Sequence, residues 1–299
     1  MVIIRRKVDH MSRLEAGTVV QLYGAREVPF GYFLTDGEED VLLHHTEVPD
    51  GFDPQQEQTV FLYQDHEGRL AATLKIPEIR KGHFGWAEVV EVKENLGVFI
   101  HIGLTKDILV SKDDLPELPR LWPARGDRLY CTLKTDKKNR LFGMLATEEN
   151  IRRLATPADK NLFNKNVKGT VYRLLMEGSN IITEEGYLGF IHHSERTREP
   201  RLGEMVEGRV IGVKEDGSIN ISLLPRVHEA IDEDAERIYS YLVGRGGNMP
   251  YWDKSLPQDI KDRFQMSKGS FKRALGKLMK EGKVIQKDGW THLTEKADQ

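Results

Sequence analysis

Cysteine is nearly absent: one residue, Cys131, in a chain of 299. A lone thiol builds no intrachain disulfide framework and has no second thiol with which to hold a zinc ion. Long apolar runs are missing too. The N-terminus, MVIIRRKVDHM, offers three apolar residues after Met1, too few for the core of a signal peptide, and no later window approaches the length of a membrane span. Nor is there an excess of one charge. With 44 Lys+Arg against 47 Asp+Glu the formal net charge is −3, so any polyanionic partner has to be met by a local patch. These absences predict a soluble protein of a reducing compartment, the cytoplasm, with no membrane partner.

Catalytic signatures are lacking as well. The chain has no Walker loop, no HExxH, no CxxC, no GxSxG, and no carboxylate cluster outside the four modules described below that is suited to paired metal ions. Asp113-Asp114 and Glu38-Glu39-Asp40 fall in loops, where acids more often serve solubility than metal binding. The expectation is a non-enzymatic protein with no cofactor, no metal and no small-molecule substrate.

What the chain does have is repetition. GTVVQLYGAREVPFGYFLTDGEEDVLLHHTEV from Gly17 and GTVYRLLMEGSNIITEEGYLGFIHHSER from Gly169 share one layout: a Gly-led strand, a polar turn, a second strand, a Gly/acid turn, and an apolar strand ending in His-His. GWAEVVEVKENLGVFIHIGLTKDILVSKDDL from Gly85 is a more divergent copy, with Ser111 where the histidine falls. Each copy closes with two further strands, in QTVFLYQDHEGRLAATL, DRLYCTLKTDKKNRLFGML and EMVEGRVIGVKEDGSINISLL. Alternation at Val60 and Leu62 and at Arg209, Ile211 and Val213 fits half-buried strands, and Glu67-Gly68, Lys138-Asn139 and Asp216-Gly217 fit hairpin turns. Five short strands per copy predict three small five-stranded antiparallel β-barrels of the OB type, an architecture whose central strands face oligonucleotides.

Charge is unevenly distributed along the repeats. Residues 1 to 80 carry 8 Lys+Arg against 14 Asp+Glu, residues 81 to 165 carry 15 against 12, and the remainder balances at 21 each. The first copy is therefore the least suited to a phosphate backbone, where affinity comes from cations.

Two back-to-back histidines invite a metal reading. Successive strand residues point to opposite faces, so neither His44 with His45 nor His192 with His193 is expected to share one ion. Two readings of His44 and His192 remain: an imidazole offered on a binding face, or a cap satisfying local backbone groups.

PFGYF, then VLLHHTE, then Asp65 and Arg69 in DHEGR resemble the S1 RNA-binding domain, whose lines run FGxF, GLxHxSE and DxxxxR. GFIHHSE and INISLLP in the third copy resemble its histidine segment and closing strand. The resemblance spans roughly residues 10 to 225. It implies RNA contacts at Phe30, Phe33, His44, Asp65 and Arg69 in the first copy, at Phe99, Asp136 and Arg140 in the second, and at His192 in the third. The copies depart from the pattern: Leu96 replaces the first aromatic and Ser111 the histidine in the second. In the third, Gly178 and Ile181 are read at the aromatic positions, and Lys214 and Ser218 replace the acid and the arginine. Motif and electrostatics thus favour different barrels.

After LLPR the period changes from strand to helix. Ile231, Ala235, Ile238 and Leu242 form one helical stripe, SLPQDIKDRF a short second helix, and MSKGSFKRALGKLMKEGKV a third, with Ser267 as N-cap, Phe271, Leu275 and Leu278 buried and Gly282 as stop. Two strands about Asp288-Gly289 follow, which predicts a winged helix-turn-helix. Arg273, Lys277 and Lys280 are expected opposite the buried stripe, with Lys268 and Lys272 beside it and Lys283 and Trp290 on the wing. This set is read either as a phosphate-binding face or as a solvated lysine face.

The expected domains are residues 1–76, 77–147 and 166–226 as barrels, 148–165 as a linker containing at most a short helix, and 227–299 as the winged helix. This order resembles the conserved virulence factor B family, which implies a bacterial cytoplasmic RNA-binding protein concerned with post-transcriptional control. The expected partner is single-stranded RNA, with mRNA or RNA-processing machinery behind it and DNA a lesser prospect. The alternatives are a DNA-binding transcriptional regulator, or an adaptor on a ribosome or RNA-degradation complex.

Overall fold

Three stretches of five strands each curl into a closed barrel, because every strand has an apolar face that must be covered and closure leaves no open edge. The computed structural model describes residues 14–294, without the side chains of 227–230. The chain divides into two units, Met1–Leu223 and Leu224–Gln299.

The first barrel consists of β1 (Val19–Val28), β2 (Gly31–Thr35), β3 (Asp40–His44), β4 (Gln58–Gln64) and β5 (Leu70–Thr73), in the order β1-β2-β3-β5-β4. The second consists of β6 (Gly85–Lys93), β7 (Gly97–His101), β8 (Ile108–Ser111), β9 (Arg128–Thr135) and β10 (Leu141–Leu145). A short helix, α1 (Glu148–Arg152), precedes the third: β11 (Asn166–Leu175), β12 (Gly178–Thr183), β13 (Leu188–His192), β14 (Met205–Val213) and β15 (Ile219–Ser222). Pairing is antiparallel except where each barrel closes. There β3 meets β5, β8 meets β10 and β13 meets β15 in parallel, because the connection after the third strand crosses the barrel before the last hairpin returns. A bulge in each first strand, between Gly24 and Arg26, Val89 and Glu91, and Val171 and Arg173, bends it enough to pair with neighbours on both sides.

In each barrel the glycine that opens the second strand is dictated by close approach. A Cβ on Gly31 would stand 2.1 Å from the Leu43 carbonyl oxygen, on Gly97 2.1 Å from that of Val110, and on Gly178 2.2 Å from that of Ile191. The glycine of the FGxF pattern therefore permits the second strand to meet the third.

Val60 and Leu62 lie in the first barrel's core with Leu22, Leu34, Val41 and Leu43, as the alternation expects, but the strand is buried on both faces rather than one. Their alternates Phe61, Tyr63 and Ala71 point outward and are buried too, in one cluster with Ile102, Leu104 and the core of the second barrel. Burial of a side chain such as Phe61 contributes roughly 1.5–3 kcal/mol. Polar contacts seal this junction: Lys106 Nζ donates to the Asp65 carbonyl at 2.9 Å and Gln64 Nε2 to that of Lys138 at 3.4 Å. Cys131 lies within the second core, where burial pushes its thiol up to about 12 and leaves it unreactive.

The second and third barrels meet through charge. The Arg201 guanidinium bonds the Asp127 carboxylate at 3.0 and 3.1 Å, while Glu204 accepts from Arg198 and from the Arg201 backbone N–H, the latter at 2.8 Å. Leu202 N donates to the Leu121 carbonyl and Arg128 N to that of Gly203, both at 3.0 Å.

Residues 148–165 depart from the linker expectation. Thr147 and Asn150 form a capping box that starts α1, and Ile151 is buried. The chain beyond lies along the third barrel, with Thr156 N to Gly186 O at 2.9 Å, Ala158 N to Gly217 O at 2.9 Å and Asn164 N to Val210 O at 2.8 Å. Composition marked this stretch as polar; its backbone groups nevertheless find partners on the neighbouring barrel.

The second unit comprises α2 (Val227–Gly244), β16 (Asn248–Met249), α3 (Pro257–Phe264), α4 (Lys268–Lys280), β17 (Val284–Lys287) and β18 (Trp290–Leu293). Ala235, Ile238 and Leu242 of α2 pack on Phe271, Ala274, Leu275 and Leu278 of α4, while Ile231 is only partly covered. The expected hairpin turns at Asp288 and Gly289, both at positive φ, and gains a third strand, in the order β16-β18-β17. Among the described residues no helix is long and apolar enough to cross a membrane.

Burial alone would push the Glu204 carboxyl up, but its bonds to Arg198 and to the Arg201 backbone, with the two arginine charges, hold it below the usual carboxylate range. A depressed folded value contributes stability above the ordinary glutamate pKa, about 4.3, and that contribution is lost as pH falls through the folded value. Glu204→Gln is expected to destabilise the protein by about 1–3 kcal/mol near neutrality in a denaturant melt, and by progressively less on acidification. A loss that stays the same at every pH would count against the network.

Candidate nucleic-acid interface

Strand parity puts a cross-strand row of residues on the outer face of each barrel, and the register shows which residues they are. In the first barrel Arg26, Phe33, Leu42, Ala71 and Tyr63 stand side by side on successive strands. The corresponding row in the second is Glu91, Phe99, Leu109, Phe142 and Lys134. In the third it is Arg173, Asn180, Phe190, Asn220 and Gly212.

These rows revise the sequence reading. The aromatic positions of the third barrel are Glu177 and Asn180, not Gly178 and Ile181; Gly178 is the close-approach glycine and Ile181 is core. The aromatic has moved one strand over, to Phe190. The second barrel carries an additional ring, Phe142, on its last strand. Both were missed because the FGxF pattern draws attention to the second strand alone, although Phe190 lies inside GFIHHSE.

The rows differ in exposure. Ala71 and Tyr63 are covered by the second barrel, so the first row is open only at Arg26, Phe33 and Leu42, with the Arg26 guanidinium 4.4 Å from the Phe33 ring centre. Phe30 is exposed outside the row and contributes its carbonyl to His45 N at 3.0 Å. The second row is open along its length. Lys93 Nζ lies 5.0 Å from the Phe99 ring and the Arg140 guanidinium 5.6 Å from that of Phe142, and a groove runs between the rings past Leu109, with Lys106 and Gln64 at its edge. In the third barrel Phe190, His192, Ile211, Lys214 and Asn220 line a groove, with the Phe190 and His192 rings 6.4 Å apart. Aromatic rings flanked by cations stack on bases and approach phosphates at the same time.

His44 and His192 do what the cap reading expects. Nδ1 of His44 accepts from Thr46 N at 3.3 Å, and Nδ1 of His192 from Ser194 N at 3.3 Å, each starting a short 3-10 turn; Ser111 Oγ accepts from Asp113 N in the same way. A ring that accepts through Nδ1 carries its proton on Nε2, so the cap also fixes which nitrogen is available as an outward donor. The premise of the opposite-faces argument holds for neither pair, because His45 and His193 both lie past their strand ends, and the His193 ring comes within 4.1 Å of that of His192. Among the described residues no group of three or more His, Cys, Asp or Glu is placed to hold a metal ion.

The acid and arginine pairs are absorbed by their turns. Asp65 accepts from Glu67 N, Arg69 N and both Nε and Nη2 of Arg69, the last at 2.7 Å; Asp136 accepts from Lys138 N, Arg140 N and the Arg140 guanidinium. Partial burial would push Asp65 up, but Arg69 and the turn N–H groups hold it below the usual range; the Arg140 backbone and guanidinium do the same for Asp136. Arg69 is drawn further aside by Glu67 at 2.8 Å, whereas Arg140 still reaches Phe142. Lys214 holds the place of these acids in the third barrel and has no ion pair within 4 Å among the described residues.

On α4, Lys272, Arg273 and Lys280 are exposed, Lys268 is half-buried, and Trp290 is exposed on the wing. Lys277 is not opposite the buried stripe but at its flank, where it pairs with Asp232 of α2 and with Glu281 at 3.5 Å; Asp232 holds its ammonium above the usual range. Lys283 is paired with Glu281 at 2.9 Å. Both lysines thus leave the free cationic set.

Three S1-type barrels followed by a winged helix define a modular protein built from small binding folds. Residues 16–75 match the S1 domain, 84–144 the CvfB first S1-like domain, 151–225 the second domain of virulence regulatory factor CvfB, and 236–293 the CvfB-like winged helix domain. The chain belongs to the conserved virulence factor B family. It is 51% identical to the uncharacterized protein YitL of Bacillus subtilis over 96% of this chain and 95% of that protein. It is 41% identical to conserved virulence factor B of Staphylococcus epidermidis, over 96% of this chain and 98% of that one. The crystal structure of a multidomain protein with nucleic acid binding domains from Streptococcus pneumoniae is 42% identical, with a TM-score of 0.66 over 93% of this chain and 98% of that chain.

Asp65→Asn is expected to lower stability by about 1 kcal/mol in a thermal or denaturant melt at neutral pH. The sign follows from the depressed carboxyl: the loss is present above the ordinary aspartate pKa and vanishes as pH falls through the folded value. An unchanged melt would return the pair to a ligand-contact role.

Proposed function

We propose that this protein binds single-stranded RNA along the outer faces of its S1 barrels, has no catalytic step of its own, and acts in the cytoplasm on gene expression after transcription. The observation that carries the reading is the second barrel's open row, in which Phe99 and Phe142 flank Leu109 and each ring has a cation against it. Bases stack on such rings whatever their identity, and the adjacent cations meet phosphate. The groove at Phe190, His192 and Lys214 supplies a second contact, and the exposed Lys272, Arg273 and Lys280 of the winged helix a third. Each is weak alone; tethering makes the later contacts intramolecular once the first has formed. The first barrel contributes least, since two of the five residues of its row are spent on docking and its segment is acidic. The relatives named virulence factor and the pneumococcal structure described by its nucleic acid binding domains support the same direction.

A fluorescent single-stranded RNA of about twenty nucleotides, titrated at several salt concentrations with duplex DNA as competitor, tests this. Binding is expected to weaken with salt by a slope of about −0.7 per phosphate neutralised and to resist duplex DNA. Phe99→Ala with Phe142→Ala is expected to weaken binding at least about tenfold with little change in that slope. Equal displacement by duplex DNA would favour a DNA reader, and no binding even at low salt would favour a protein-docking adaptor.

A further inference from the structure

A second group of rings lies on the second barrel away from its row. Phe84 and Tyr130 stack with centroids 5.8 Å apart at 29°, Trp86 stands 5.1 Å from Tyr130, and the Arg128 guanidinium lies 5.6 Å from the Trp86 ring. Strand parity places them there. Ala87, Leu129 and Cys131 fill the core, so Trp86 and Tyr130, paired across β6 and β9, point outward. All three rings are only partly covered, with Met205 and Leu154 exposed at the margin. Such a cluster differs from the first barrel's outward Phe61 and Tyr63, which a neighbouring barrel buries completely.

Charge points to the occupant. Arg128 has no ion pair within 4 Å among the described residues, although Glu88 faces it in the ladder. Among the described residues Arg80, whose guanidinium donates to the Pro77 carbonyl at 3.1 Å, has no ion pair within 4 Å either, and both border the grooves on either side of the rings. Glu78 lies close enough to Tyr130 to help raise its hydroxyl pKa, after burial, and Glu184 lines the groove beside Trp86, yet neither forms an ion pair with Arg128 within 4 Å. Planar rings with an unneutralised guanidinium against one of them match a nucleobase and its phosphate better than an apolar peptide.

We infer that Trp86, Tyr130 and Arg128 form a second stacking platform for single-stranded RNA, engaged only when the strand extends beyond the Phe99 and Phe142 row. The inference rests on the RNA-binding reading above. The row from Phe99 to Lys134 crosses three strand spacings, about 14 Å, and Tyr130 lies four residues, about 13 Å, farther along β9; five stacked nucleotides span about 14 Å, so a short oligomer seated on the row does not also reach Tyr130. Length of RNA therefore separates the two sites.

The test uses the full chain and two oligouridylates, of about 5 and about 16 nucleotides, chosen to fall near the two ends of the site sizes such barrels occupy. Trp86→Leu is expected to weaken the longer oligomer about tenfold and leave the shorter unchanged. Arg128→Ala, an exposed substitution that carries the test if Trp86→Leu folds poorly, is expected to weaken the longer oligomer and flatten its salt slope by about 0.7. Parental affinity for the longer oligomer, or weakening of both lengths alike, overturns the platform while leaving the RNA-binding reading intact. If the parent binds neither oligomer, that reading fails and the platform fails with it.

Discussion

Strand parity in a closed barrel is the constraint on which the rest of this structure depends. Alternate residues of fifteen strands must fill three small interiors, and those interiors admit only apolar or small side chains. Every other residue is forced outside, where its fate is decided by what lies beside it. Phe61 and Tyr63 meet a neighbouring barrel and become interior a second time. Phe99, Phe142 and Phe190, by the same parity, remain at the surface and line grooves. One geometric rule thus supplies both the adhesion between barrels and the surfaces left for a ligand.

Electrostatics then selects among those surfaces. A cation already held by a carboxylate has little to offer a phosphate, because binding must first replace a bond it has. Arg69, Lys277 and Lys283 are held in this way. Lys93 and Arg140 are also paired, with Glu91 at 3.1 Å and Asp136 at 2.7 Å, yet each lies against a ring of the row, Phe99 or Phe142, and so stays at the groove. Lys214 escapes because the third copy exchanged its acid for a lysine. The divergence of the repeats is therefore not decay of a single design but a redistribution of rings and charges over one scaffold.

Much of this architecture was legible in the chain. The repeat, the hairpin turns, the capping Ser267 and the apolar stripes of the helices are local patterns, fixed by residues a few positions apart. The role of His44 and His192 was legible as a choice between two readings, since a cap and a binding donor use different nitrogens of one ring. What escaped were the features that need register. Phe142 joins Phe99 only through Leu109 on the strand between them, and the third barrel's ring is found at Phe190 only once Gly178 is seen to be the close-approach glycine.

The sequence by itself determined that there are three barrels and a winged helix, because period, glycine and turn chemistry act over short distances. Only the tertiary structure decided which outward faces are free. That depends on residues such as Tyr63 and Thr105, or Asp232 and Lys277, which are about forty positions or more apart, and whose contact energy no local pattern encodes. It also decided that residues 148–165 belong to the third barrel, since hydrogen-bond partners for a polar backbone are supplied by packing and not by composition.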